Sequence, residues 1–152
     1  MSQLIKQIVI AELEDLAKRI AANIKANGQW ASGDTARSLK IRQESDTITL
    51  YGRDSFDSLE KGYKGPVSVR RIFNWMVAKG IQDADPKKTN SIAFAIARKI
   101  EEEGSFLYRN KVTYDGVVPD VYSTEIKETV KRLYGKLGDY AIKQIETITL
   151  NF

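Results

Sequence analysis

The sequence contains no cysteine and no histidine. The first absence excludes a disulfide framework and thiolate chemistry. The second removes the commonest general base and the commonest transition-metal ligand. Catalysis, if any, would fall to carboxylates, Lys, Tyr or Ser. Proline is scarce, with 3 in 152 residues, and no linker, internal repeat or low-complexity segment divides the chain. One domain spanning residues 1–152 is expected, long enough to bury a core without metal or disulfide staples. No apolar run approaches membrane-spanning length. Glu12, Glu14 and Asp15 interrupt any signal-peptide core. A soluble, cytoplasmically made protein with no membrane contact is expected.

What is present is ordinary for a globular domain: 42% hydrophobic and 29% charged residues, with a net charge of +4. The charge is unevenly placed. Between Lys61 and Ile81 the charged residues are Lys61, Lys64, Arg70, Arg71 and Lys79, with no acid among them. Such a stretch suits nucleic acid or an acidic protein surface, and equally a solvated basic face.

Hydrophobic periodicity predicts a long helix over Gln3–Ala26. Val9, Leu13, Leu16, Ala17, Ile20 and Ile24 form its stripe, and Ile5 and Ile8 extend it beyond the domain. Early acids (Glu12, Glu14, Asp15) and late bases (Lys18, Arg19, Lys25) suit the helix dipole. Asn27-Gly28 ends the helix. Trp30, in the loop Gln29–Asp34, serves as a lid on the core or as an interface anchor.

Two alternating runs follow, Ser38–Gln43 and Thr47–Tyr51, across a Glu44-Ser45-Asp46 turn. Leu39, Ile41, Ile48 and Leu50 oppose Lys40, Arg42, Thr49 and Tyr51, as period two in a hairpin requires. Asp54–Gly62 is ambiguous, with Phe56 and Leu59 on one side of a short helix. A helix capped by Ser68 carries Val69, Ile72, Phe73, Met76 and Val77 to Gly80. The next is capped by Thr89 or Asn90 and runs to about Glu102. Its apolar positions Ile92, Ala93, Phe94, Ile96, Ala97 and Ile100 are broad enough to predict deep burial. Gly104–Asp120 reads as irregular, with a small hairpin around Asp115-Gly116. A last helix over Ser123–Thr147 has Ile126, Val130, Leu133, Leu137, Ala141 and Ile145 in phase, with a kink or break expected at Gly135 and Gly138. The tail, with Ile148, Leu150 and Phe152 alternating, adds a strand or continues the helix. The fold class is therefore α+β: a small antiparallel sheet against a long N-terminal helix and several C-terminal helices.

Asp54, Asp57 and Glu60 bring carboxylates near a Gly-rich segment, where a metal-dependent hydrolase would keep them. Their spacing matches no ligand pattern. Glu101-Glu102-Glu103 point in different directions on a helix and read as a solvated end. Gly62-Tyr63-Lys64-Gly65 lacks P-loop spacing. No catalytic, cofactor or metal residue is assigned. Arg70 and Arg71, with Trp75 and neighbouring lysines, are the candidates for phosphate contact in a basic nucleic-acid-binding module.

The order of these features is similar to a known family. Ser32-Gly33-Asp34-Thr35-Ala36-Arg37-Ser38-Leu39 resembles the T-G-x-L-x-x-S-[IL] signature of the tail-completion and head–tail joining (neck) proteins of tailed bacteriophages. A strand pair and a Y-A-x-Y-[LV]-E-[FK]-G segment follow in that family, and Ser55–Gly62 resembles the latter. Ile72–Ile81 resembles its helix ending in a K-G-[IL] turn. Ala93–Ile100, then Glu103-Gly104 and the Phe106 loop, resemble its next helix. Lys111–Asp120 has no counterpart.

The resemblance implies a virion protein without enzyme activity or cofactor. It would form a homo-oligomeric ring at the neck or top of the tail, joining portal or connector to tail proteins, with DNA passing through. It would assemble in the host cytoplasm. The expected subunit and partner contacts are Trp30, Lys40, Arg42, Tyr51, Glu60, Lys61, Arg70, Arg71, Trp75, Phe106 and Tyr108.

Overall fold

The computed structural model describes residues 2–149, with side chains described through residue 143. Helix α1 (Gln3–Ala26) starts where Ser2 Oγ accepts the Ile5 amide at 3.3 Å. It ends at Asn27, and Gly28 takes the left-handed conformation with φ 68°. A single turn, α2 (Asp34–Arg37), precedes strand β1 (Lys40–Glu44), which pairs antiparallel with β2 (Thr47–Tyr51). Then come α3 (Phe56–Lys61), α4 (Val69–Lys79), α5 (Pro86–Glu103), α6 (Phe106–Asn110) and α7 (Ser123–Thr149). The α+β class is as expected: a two-stranded sheet, one long N-terminal helix and several C-terminal helices.

The hairpin register pairs Ile41 with Leu50, Lys40 with Tyr51, and Arg42 with Thr49. Alternation thus separates the faces as the sequence predicts. The first strand starts two residues later than expected, because Ser38 closes the α2 turn and its hydroxyl bonds the Thr35 carbonyl. The hairpin turn is Ser45-Asp46 alone, with Ser45 at φ 53°. Leu39 and Leu50 pack with Phe56 and Leu59 onto the buried Leu16, Ile20, Ile24 and Val121. Each fully buried aliphatic side chain contributes about 2 kcal/mol.

A second cluster belongs to α4 and α5: Ile72, Met76, Ala93 and Ala97, flanked by Phe73, Ile96 and Ile100. Ala93 and Ala97, one turn apart, let the helices approach closely. Helix α5 begins at Pro86, with Asp85 as N-cap to Lys87, not at Thr89 or Asn90. Proline's fixed φ suits the first helical position. Thr89 is buried instead, its hydroxyl on the Asp83 and Asp85 carbonyls. The expected deep burial of α5 fails at Ile92 and Phe94, both exposed, as is Val77 of α4. A two-helix hairpin has only one inner face, so the broad apolar surface of α5 exceeds what α4 can cover.

The segment 112–118 makes the Asp-Gly turn, with Thr113 N donating to the Val117 carbonyl at 2.8 Å, but no strand forms. Residues 106–110, expected to be irregular, form α6, capped by Ser105. Helix α7 continues unbroken through Gly135 and Gly138. Residues 150–152 of the tail, and the side chains of Ile145 and Ile148, lie outside the described residues.

The largest correction concerns α7. Its in-phase apolar stripe is split: Ile126 and Val130 are 44% exposed and Ala141 is exposed too, while Leu133 and Leu137 are half-buried. A polar stripe faces α1. Asn23 donates to the Val121 carbonyl, Arg19 pairs with Glu125 at 2.9 Å and bonds Thr129, and Glu12 accepts Arg132 at 3.1 Å and Lys136 at 2.6 Å. The order of these contacts makes the helices antiparallel. Glu12, read from sequence only as one of the early acids that suit the helix dipole, is 3% exposed. The Lys136 ammonium, opposed by desolvation and aided by Arg132, holds its carboxyl below the usual glutamate range.

A carboxyl with a lowered folded pKa stabilises fully above its unfolded pKa and loses that contribution as pH falls through the folded value. Glu12→Ala should cost roughly 2 kcal/mol at neutral pH, below the cost for a fully buried pair because its cationic partners keep solvent contact. Urea unfolding at neutral pH and near pH 3 checks this. The penalty should shrink at the acid end, and an equal penalty at both would contradict it.

Candidate functional site

Helix α3 ends in a corner that organises the surface around it. Glu60 Oε1 accepts the amides of Val121, Tyr122 and Ser123 at 2.9, 2.7 and 2.9 Å, and Oε2 takes the Ser123 hydroxyl. A carboxylate on a helix N-terminus satisfies orphan N–H groups and meets the positive end of the dipole. Burial opposes its charge, but the Ser123 hydroxyl and the three amides outweigh it and hold the pKa low. Asp57 accepts Lys61 at 2.8 Å and the Tyr122 hydroxyl at 3.1 Å. Burial, reinforced by Asp57, pushes the Tyr122 phenol up to about 12.

Gly62, at φ 71°, follows. A Cβ there would collide with the backbone of Tyr108, and one on Gly104 would collide with the Tyr108 ring. Tyr108 is thus clamped between two glycines. Ser105 fastens the same corner: its amide donates to the Tyr63 carbonyl at 2.8 Å, and its hydroxyl accepts the Tyr63 and Tyr108 amides. Lys111 lies 4.6 Å from the Tyr108 ring centroid.

Two cavities lie beside this corner. A cleft of about 470 Å³ runs between the end of α1, the α4–α5 pair and the 106–115 segment. Ile72, Trp75, Ile96, Ile100, Phe106 and Tyr114 give it an apolar wall, and Lys79, Lys99 and Arg109 supply charge. Phe106 and Tyr114 stack at 4.1 Å, and Lys79 donates to the Gly28 carbonyl at 2.7 Å. A smaller cavity of about 290 Å³ brings Trp30, Arg71 and Trp75 together. There Trp30 covers Gly33 with its indole while remaining 36% exposed, between the lid and anchor roles.

The other expected residues are dispersed. Lys40, Arg42 and Tyr51 share the outward hairpin face, with Arg42 5.0 Å from the Tyr51 ring centroid. Arg70 is exposed at the start of α4. Glu60, Lys61 and Tyr108 meet at the α3 corner, where Glu60 and Lys61 are bound within the chain. Asp57 and Glu60 are likewise taken up by Lys61, Tyr122 and the α7 amides. Among the described residues, no group of three acids is placed to hold a metal ion. Sequence reading missed the cleft residues Asn27, Gln29, Lys79, Lys99 and Arg109. Asn27 was legible only as a helix stop and Lys79 only as part of a basic stretch; nothing in the sequence singled out Gln29, Lys99 or Arg109. No family model, curated protein or solved structure matches this chain.

Glu60→Ala should lower stability by roughly 1–2 kcal/mol, while Glu60→Gln, which keeps an acceptor, should lose less. The contribution of Glu60 is present above the unfolded carboxylate pKa and fades as pH falls through the lowered folded one. Denaturant melts at two pH values measure both effects. Gly62→Ala should lower the thermal midpoint, through positive φ and the clash with Tyr108. An unchanged midpoint would show that the corner is not tightly built.

Proposed function

We propose that this chain is a structural subunit of a tailed-bacteriophage virion, forming an oligomeric ring at the neck or top of the tail. It would join portal or connector to tail components, as the resemblance of Ser32–Leu39, Ser55–Gly62 and Ala93–Ile100 suggests. On this reading it works by shape and contact, without enzyme activity or cofactor. Its place is the virion, after assembly in the host cytoplasm. The main support is that α7 leaves Ile126, Val130 and Tyr134 exposed on one side, with Leu133 and Leu137 half-buried. Val77, Ile81, Ile92 and Phe94 are exposed too on and beside the α4–α5 pair, with Ile92 and Phe94 on opposite flanks of α5. Apolar patches at separate places fit a subunit that contacts different neighbours on its two sides, as a ring requires. The hairpin face with Lys40 and Arg42 would meet an acidic neighbour or DNA in the lumen. No helix among the described residues is long and apolar enough to cross a membrane.

A basic nucleic-acid-binding module is the second reading. It is favoured by Arg70 and Arg71, which are exposed and make no ion pair among the described residues. Phosphate contacts would make its affinity strongly salt-dependent.

Sedimentation and negative-stain imaging of the purified chain distinguish the two. The ring reading expects closed oligomers at high concentration, lost in Ile126→Asp/Val130→Asp without a lower thermal midpoint. A chain that stays monomeric and binds DNA with nanomolar, salt-sensitive affinity, abolished by Arg70→Ala/Arg71→Ala, would overturn it.

A further inference from the structure

The larger cleft has an apolar wall, a basic rim and unmet hydrogen-bonding capacity. Asn27 Nδ2 and Gln29 Oε1 are buried with no partner among the described residues, and both residues line it. Buried polar atoms are normally paired, and leaving one unpaired costs about 1–3 kcal/mol. Asn27 Nδ2 is a donor and Gln29 Oε1 an acceptor, so the pair offers a partner to polar groups of either kind on an occupant. The cleft's volume lies within the range of specific ligand sites. Its cations, Lys79, Lys99 and Arg109, outnumber the single acid Asp115 in the lining; Lys99 and Arg109 also pair with Glu103 beside it, at 3.9 and 3.6 Å, which leaves a small positive excess. The fitting occupant is therefore a peptide segment carrying large apolar side chains and an acid, and no base.

Several stretches of this chain have that composition, but 7–17 belongs to α1, 43–52 to the hairpin, and 112–126 to the cleft's own wall and the start of α7, which leaves the C-terminal one. Residues 144–152 carry Ile145, Ile148, Leu150 and Phe152, the acid Glu146, and no Lys or Arg. The outer stripe of α7 is the poorer candidate, since Lys127 and Lys131 beside it repeat the sign of the rim. The segment cannot reach the cleft of its own chain. The cleft lies just past the C-terminal end of α1, whereas α7 runs antiparallel to α1 and leaves Lys136 beside Glu12. Thr149 is a further 13 helical positions on, which puts it about 40 Å from the cleft along the axis.

We propose that residues 144–152 of one copy dock in the cleft formed by α1, α4, α5 and α6 of the next. The contact is heterologous, head to tail, and it closes into a ring when the rotation between copies allows. It rests on the ring-subunit reading and names the segment that links neighbours.

The test uses the full-length chain carrying Trp30→Phe, Leu150→Asp and Phe152→Asp. This leaves Trp75, in the cleft wall, as the only indole, and spoils the chain's own segment as a ligand. A synthetic peptide of residues 144–152 should shift Trp75 emission saturably. Binding should weaken at least about tenfold when the peptide carries Leu150→Asp and Phe152→Asp, or when the receptor also carries Lys99→Glu and Arg109→Glu. No saturable shift, or equal affinity for the altered peptide, overturns the proposal. Sedimentation separates it from the reading beneath it. Rings that persist in Leu150→Asp/Phe152→Asp sink the docking and leave the ring standing. Peptide binding by an intact chain that never oligomerises sinks the ring and the docking between copies together.

Discussion

The carboxylate of Glu12, held between Arg132 and Lys136 on a buried helix–helix face, sets the arrangement of this molecule. Burying a charge costs several kcal/mol unless it is paired, so this residue allows only rotations of α7 that bring a cation to it. Arg19 with Glu125 and Thr129, and Asn23 with the Val121 carbonyl, repeat the constraint along the seam. Glu60 repeats it at the first turn of α7. An apolar seam would tolerate several rotations; this ionic one selects a single phase. Like charged and polar positions in coiled coils, it contributes specificity more than net stability.

The consequence is geometric. With its polar stripe turned toward α1, α7 presents Ile126, Val130 and Tyr134 to the outside. The α4–α5 pair, with its own small core, likewise leaves Ile92 and Phe94 uncovered. A cleft opens where that pair meets the end of α1. The α3 corner, with Tyr108 clamped between Gly62 and Gly104, fixes the remaining wall. Surfaces of this kind suit a protein completed by its neighbours.

Much of the architecture was legible in the sequence because local periodicity decided it. The stripe of α1 predicted Leu16, Ile20 and Ile24 in the core, and alternation predicted the pairing faces of the hairpin. Boundaries failed where a competing cap won, as with Asp85-Pro86 over Thr89, or where a short turn such as α2 consumed the start of a strand. The phase of α7 was not legible. Its apolar stripe is split between exposed Ile126 and Val130 and half-buried Leu133 and Leu137, and what decides its rotation is a set of charge pairs more than 100 residues apart in sequence. The cleft was equally hidden, since Asn27, Gln29, Lys79 and Lys99 come from separate elements and carry no common motif.

Because the chain has no native cysteine, the phase of α7 can be read directly by introducing single cysteines and measuring their rate of maleimide labelling in the monomer. Thr129→Cys, on the α1 side, should react at least about tenfold more slowly than its neighbour Val130→Cys, since labelling follows access. Ile126→Cys and Tyr134→Cys should react as fast as Val130→Cys. Rapid labelling at position 129 with protection at 126 and 130 would place the apolar stripe inward and contradict the account.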